Sequence, residues 1–100
     1  MKTTFKVEDN EFVMYLEGRL DTAASSQAEK DLRVLYDCEG HDIVLDCTDL
    51  EYISSSGLRL FLNVLKNAHA KGSSVFIKGI NDDIRSVLEM TGFNSLFQFR

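Results

Sequence analysis

Ile43-Val44-Leu45-Asp46-Cys47-Thr48-Asp49-Leu50-Glu51-Tyr52-Ile53-Ser54-Ser55-Ser56-Gly57-Leu58 passes from one hydrophobic period to another, and its reading decides the fold. The run Ile43-Val44-Leu45 between Asp42 and Asp46 is continuous, β-branched and aliphatic, as in a strand buried on both faces. Beyond Gly57 the apolar residues Leu58, Phe61, Leu62, Leu65 and Ala68 share one helical face. That pattern closes at Lys71-Gly72, a basic residue followed by a C-terminal glycine. A buried strand therefore enters a helix through a joint of three serines.

The same alternation of periods extends in both directions. Phe5 and Val7, then Phe12, Met14 and Leu16, repeat at a spacing of two around the polar Glu8-Asp9-Asn10-Glu11, which predicts a β-hairpin. Ala24, Ala28, Leu32, Leu35 and Tyr36 make one helical face, with Asp21 and Thr22 as capping candidates and Gly40 after its end. Val75-Phe76-Ile77 repeats the buried-strand pattern. Asn81-Asp82-Asp83 caps a further helix through Ile84, Val87 and Leu88 that stops at Gly92, and Phe97-Gln98-Phe99-Arg100 reads as a short edge strand. The order ββαβαβαβ predicts a single α/β domain over residues 1–100. Its sheet is expected to be mixed and mostly parallel, with an N-terminal antiparallel hairpin and the helices packed on it.

Composition narrows the function. The chain has 100 residues, 44% of them hydrophobic, no proline, and 11 basic against 16 acidic side chains, a net charge of -5. That size and apolar content support a core without disulfides or a structural metal. An acidic chain lacks the basic face through which nucleic acid or an anionic membrane is bound, so neither is an expected partner. No apolar run approaches the ~20 residues needed to span a bilayer. Cys38 and Cys47 have neither CxxC spacing nor surrounding histidines, and with no signal-peptide pattern they read as reduced thiols of a cytoplasmic protein.

Enzyme chemistry finds little support. Neither a G-x-x-x-x-G-K-[ST] loop nor a G-x-G-x-x-G after a strand is present. A nucleophile elbow requires glycine two residues before the serine, where this chain has Ile53 or Ser54. His41 falls in a loop and His69 near a helix end, both expected to be solvent-exposed. Asp46 and Asp49 are read as ordinary acidic residues at a strand exit, and Cys47 as a small core hydrophobe with acidic neighbours. The expectation is a protein with no catalytic residue, no cofactor and no bound metal.

The serines are the informative feature. They lie between the carboxyl end of a central strand and a helix N-terminus, the edge where open α/β sheets receive ligands and partners. Ser54 or Ser55 is expected as the N-cap, with Ser56 and Gly57 in the first turn. Serines in such a place serve first as caps, each stabilising by roughly 1 kcal/mol. A phosphate on Ser56 would add about -1.5 to -2 charges at the favourable end of the helix dipole, leaving the fold intact and changing what a partner meets. Asp21, Asp49 and Glu51 are expected on the same edge.

These residues resemble the STAS domains of bacterial anti-sigma factor antagonists. Leu16-Glu17-Gly18-Arg19-Leu20-Asp21 is similar to the family's G-x-L-D segment, and Ile43-Val44-Leu45-Asp46 with Thr48-Asp49-Leu50 to its third strand and the D-L that follows. Ile53-Ser54-Ser55-Ser56-Gly57-Leu58 resembles the signature loop, with Ser54 where many members carry aspartate, and Met90-Thr91-Gly92-Phe93 resembles the end of the third helix. The resemblance implies a binding module that captures an anti-sigma factor, itself a serine kinase of the histidine-kinase-like ATPase fold. Capture frees the sigma factor. The kinase would phosphorylate the serine before the signature glycine, here Ser56, causing release, and a serine phosphatase would reverse the mark. Asp21, Ser54, Ser55, Ser56, Gly57 and Leu58 are the partner-binding residues so implied. STAS-like domains also serve as non-switching interaction subunits of lipid-transport ATPases or stress-signalling assemblies, which is the alternative reading.

Overall fold

The computed structural model describes residues 1–100. Strands β1 (Lys2–Glu8) and β2 (Glu11–Leu20) form an antiparallel hairpin. Its two turn residues, Asp9 and Asn10, have φ of 50° and 66°. The tight two-residue turn that suits twisted strands needs this left-handed backbone, which Asp and Asn tolerate better than most residues. Then follow α1 (Thr22–Leu32) with a 3-10 turn over Arg33–Tyr36, β3 (Ile43–Ile53), α2 (Ser55–Ala70) and β4 (Val75–Lys78). α3 (Asp82–Thr91), a 3-10 turn over Phe93–Ser95 and β5 (Gln98–Phe99) complete the chain.

The sheet runs in sequence order, β1-β2-β3-β4-β5, and every pair after the hairpin is parallel. Each crossover steps to the next strand in the same direction. Right-handed connections then place all three helices on one face. Met14, Leu16, Ile43, Leu45, Cys47, Val75 and Ile77 point to that face and form one core with Leu32, Phe61, Val64, Ile84 and Leu88 from the helices. The expected architecture is the observed one.

Alternate residues of the same strands, Val13, Tyr15, Val44, Asp46, Phe76 and Lys78, face the uncovered side of the sheet. There the last residue doubles back. Arg100 lies 3.9 Å over the Phe76 ring and donates to both carboxylate oxygens of Glu11, at 2.9 and 2.8 Å. No helix is long and apolar enough to cross a membrane.

Each helix begins at a side-chain cap that accepts from the backbone N–H three residues on. Asp21 accepts from Ala24 at 2.8 Å, Ser54 from Gly57 at 3.1 Å, and Asn81 from Ile84 at 2.8 Å. Asn81 also donates to the carbonyls of Leu50 and Glu51, both at 3.3 Å, tying α3 to the end of β3. α3 stops at Gly92 with φ 77°, a left-handed cap that only glycine adopts without strain.

Three details depart from the sequence reading. β3 does not end near Asp46 but continues to Ile53, because the far half of β2 pairs with it through Glu17–Asp49, Gly18–Leu50, Arg19–Tyr52 and Leu20–Ile53. Two register shifts in that ladder, with Gly18 at φ 96°, disturb the alternation that would have marked the strand. Second, the apolar face of α2 is wider than expected: Leu60 and Val64 join the core while Leu62 is only half-buried. α2 packs on α1 as well as on the sheet, which broadens the buried stripe. Third, His41 is not a free loop residue. It stacks on Phe12 at 4.4 Å between ring centroids, with Nδ1 2.8 Å from the Asn10 carbonyl oxygen. His69 is exposed as expected.

Both cysteines are unpaired and completely buried. Burial, reinforced by the adjacent Asp46 carboxylate, pushes the Cys47 thiol far above the ordinary range. The native protein at pH 8 is therefore expected to be inert to a thiol-reactive chromogenic disulfide, both thiols reacting once denaturant unfolds it. Rapid labelling of Cys47 in the native state would contradict this packing.

Candidate functional site

The site lies at the carboxyl edge of β2 and β3, where two helices start side by side. Leu20 and Ile53 are register neighbours at the ends of these parallel strands. Each is followed at once by a cap, Asp21 for α1 and Ser54 for α2. One hydrogen bond joins the two exits, from the Ser54 N–H to the Leu20 carbonyl at 2.9 Å. The helix N-termini thus converge with their positive dipole ends at the same edge.

The three serines take different positions within this frame. Ser54 is the N-cap, its residue only 8% exposed and its Oγ held by the Gly57 N–H. Ser55 is exposed in the first turn. Ser56 is half-buried one residue further, on the side facing α1. Of the three hydroxyls, only that of Ser54 is engaged within the chain. No acidic side chain occupies the first turn of α2, in contrast to α3 with Asp82 and Asp83.

Gly57 and Leu58 are buried. A Cβ at Gly57 would stand 2.7 Å from Leu20 Cγ and 2.9 Å from Ile53 Cγ1. The glycine is there because the first turn of α2 rests directly on the strand ends. Of the six residues singled out in the sequence, Asp21, Ser55 and Ser56 thus reach the surface, while Ser54, Gly57 and Leu58 build the support beneath.

Ser56 opens onto a groove of about 270 Å³ between α1 and α2, lined by Ser25, Ser26, Glu29, Ser56, Arg59, Leu60 and Asn63. Ser25 Oγ donates to the Asp21 carbonyl at 2.9 Å, continuing the cap of α1. Sequence reasoning missed Arg59, Ser25, Ser26 and Asn63. Only their places on facing surfaces of two helices distant in sequence reveal them.

The acidic neighbours divide differently from expectation. Asp49 lines a cavity on the uncovered sheet face with Thr4, Lys6, Tyr15, Glu17 and Asp46. Glu51 lines a separate groove of about 390 Å³ beside α3, with Arg19, Tyr52 and Asp83 among its walls. Asp21 alone of the three caps the helix beside Ser54. Asp46 is nearly buried, and its Oδ1 accepts from the Thr48 N–H at 3.0 Å, closing a local turn of chain. Near the hairpin, the phenol of Tyr15 donates to both carboxylate oxygens of Glu8 at 2.9 and 2.7 Å, which raises its pKa.

Two predictions follow from this division of positions. Ser54→Ala should cost about 1 kcal/mol in urea unfolding through loss of its cap, while Ser55→Ala and Ser56→Ala should each stay within about 0.5 kcal/mol of the parent. Equal losses at all three would contradict the assignment of Ser54 as the cap. Gly57→Ala gains up to ~1 kcal/mol of helix propensity but forces a methyl into Leu20 and Ile53, an overpacking cost of typically ~1–3 kcal/mol. The net should be a loss, read as a lower urea midpoint, and a stabilised variant would show that the strand ends yield freely.

Comparison with known proteins places this geometry. The sequence profile of the STAS domain family matches residues 2–100. BtrV of Bordetella bronchiseptica, described as a candidate anti-sigma factor antagonist, is 33% identical over 97 residues, covering 97% of this chain and 84% of its own. Among solved structures, an anti-sigma factor antagonist described as a candidate from Thermotoga maritima superposes with a TM-score of 0.87 at 19% identity, over 97% of this chain and 84% of its own. The Bacillus protein SpoIIAA in its phosphorylated form gives a TM-score of 0.73 at 19% identity, over 99% of this chain and 91% of its own. With its profile matched almost end to end and its sheet, helices and serine loop in the expected order, the chain belongs to the STAS domain family.

Proposed function

We propose that the protein is an anti-sigma factor antagonist, a cytoplasmic binding module rather than an enzyme, switched by phosphorylation of Ser56. Unmodified, it captures an anti-sigma factor that is a serine kinase of the histidine-kinase-like ATPase fold. The observation that carries this reading is the free Ser56 hydroxyl in the first turn of α2, beside a cap that does not need it. Its support from relatives is the anti-sigma factor antagonist description of BtrV and the solution of SpoIIAA in a phosphorylated form.

The chemistry is done by the partner. Ser56 Oγ attacks the γ-phosphorus of the kinase's ATP, a new O–P bond forms, the bond to the ADP oxygen breaks, and the hydroxyl proton is released. The product carries about -1.5 to -2 charges at the helix N-terminus, where the dipole favours it by ~0.3–1 kcal/mol. The domain keeps its fold, and the added charge and bulk fall on the docking surface made by Asp21, Ser55 and Ser56. A serine phosphatase restores the capturing form.

Incubation with the cognate anti-sigma kinase and ATP should place one phosphate on Ser56, located by peptide mass spectrometry, and none on Ser56→Ala. Ser56→Asp should unfold like the parent yet bind the kinase at least ~10-fold more weakly, about 1.4 kcal/mol. Phosphate at another residue, or undiminished binding by Ser56→Asp, would sink the reading. Retention of a transporter ATPase with no response to Ser56→Asp would support the non-switching subunit instead.

A further inference from the structure

We propose that the phosphate on Ser56 is bound within the chain by Arg59, which folds it into the groove between α1 and α2. The inference rests on the phospho-switch reading of Ser56 and concerns what the modified residue does next. Ser56 and Arg59 stand three residues apart on α2, so their side chains leave the same helix face about 5–6 Å apart at Cβ. Both line the groove that α1 closes on its other side with Ser25, Ser26 and Glu29.

The charges in this groove are arranged asymmetrically. Arg59 is exposed and enters none of the chain's ion pairs. Glu29, the carboxylate facing it from α1, is turned away to Arg33 at 3.1 Å. Asp21 at the neighbouring cap is occupied by the Ala24 N–H. A guanidinium is therefore left without a counter-charge one turn from the phosphate acceptor, in the orientation, acid N-terminal to base, that stabilises a helical pair. Its planar fork suits two oxygens of one phosphate group, and the Ser26 hydroxyl across the groove can donate to a third.

The clamp changes how the switch works. A free phosphate would repel a partner through a field that salt screens over about 8–10 Å. A clamped phosphate instead fills the groove and withdraws the Arg59 cation from the partner, so release depends on occupancy as well as on charge.

The experiment installs phosphoserine at position 56 during translation, so that no kinase is needed, and follows its second ionisation by phosphorus NMR. With the clamp, that pKa, ordinarily about 6, should lie about 0.5 pH unit lower in the parent than in Arg59→Gln, with Arg59→Lys between them. Lys66→Gln, which removes an exposed cation further along α2, should leave it in place. An identical pKa in the parent and Arg59→Gln overturns the proposal, as does an equal shift from Lys66→Gln, which would reduce the effect to net charge. Failure of the kinase to modify Ser56 would instead strike at the functional reading, because the installed phosphate reports on Arg59 in either case.

Discussion

The missing side chain of Gly57 is the constraint on which the rest of the site depends. It lets the first turn of α2 descend onto Leu20 and Ile53 to a distance no Cβ could occupy. Leu20 and Ile53 are themselves the last paired residues of two parallel strands. Fixing α2 against them also fixes the start of α1, since Asp21 follows Leu20 directly and the Ser54 N–H is bonded to the Leu20 carbonyl. The spacing of the two helix N-termini, and with it the groove that Ser56 faces, follows from one close approach.

Much of this architecture was legible because it is local. Caps depend on a side chain reaching a backbone N–H three residues away, so Asp21, Ser54 and Asn81 could be read directly from the sequence as candidates. Core strands announce themselves by their period, as Ile43-Val44-Leu45 and Val75-Phe76-Ile77 do. The second half of β3 could not be read in this way. Thr48, Asp49, Glu51 and Tyr52 are exposed, the two carboxylates among them are poor strand formers, and the segment is held extended by pairing with β2 across a shifted register. The same ladder decides where the carboxylates go, which is why Asp49 and Glu51 end in cavities apart from the serines. Arg59 was invisible for a related reason. On α2 alone it is one more surface cation, and it acquires meaning only opposite Ser25, Ser26 and Glu29 of α1.

The sheet divides its two faces just as firmly. One face carries the core under three helices. On the other, Lys6, Tyr15, Asp46 and Lys78 interrupt the apolar surface, and the Arg100 guanidinium covers Phe76 while pairing with Glu11. Charged side chains also stand on the edge strand β1, at Lys2 and Lys6, while the opposite edge β5 is only two residues long. Both are devices that discourage edge-to-edge association. The carboxyl edge of β2 and β3 is left as the place where a helix start, an unengaged hydroxyl and an unpaired cation come together.

On the proposed phospho-switch, the three consecutive serines separate stability from regulation. Ser54 holds the cap and is nearly buried, so altering it disturbs the helix. Ser55 is exposed and carries no internal bond, available to whatever docks. Ser56 sits where a new charge gains from the helix dipole and breaks nothing, because the cap is already supplied one position outside the helix and the close packing is supplied by Gly57 one position further in. A single serine could not combine these duties, since a hydroxyl already accepting the Gly57 N–H would lose that bond's geometry on becoming a phosphate ester. On that proposal, a cap two positions before Ser56 and a glycine directly after it let the charge of Ser56 change while the structure that presents it stays fixed.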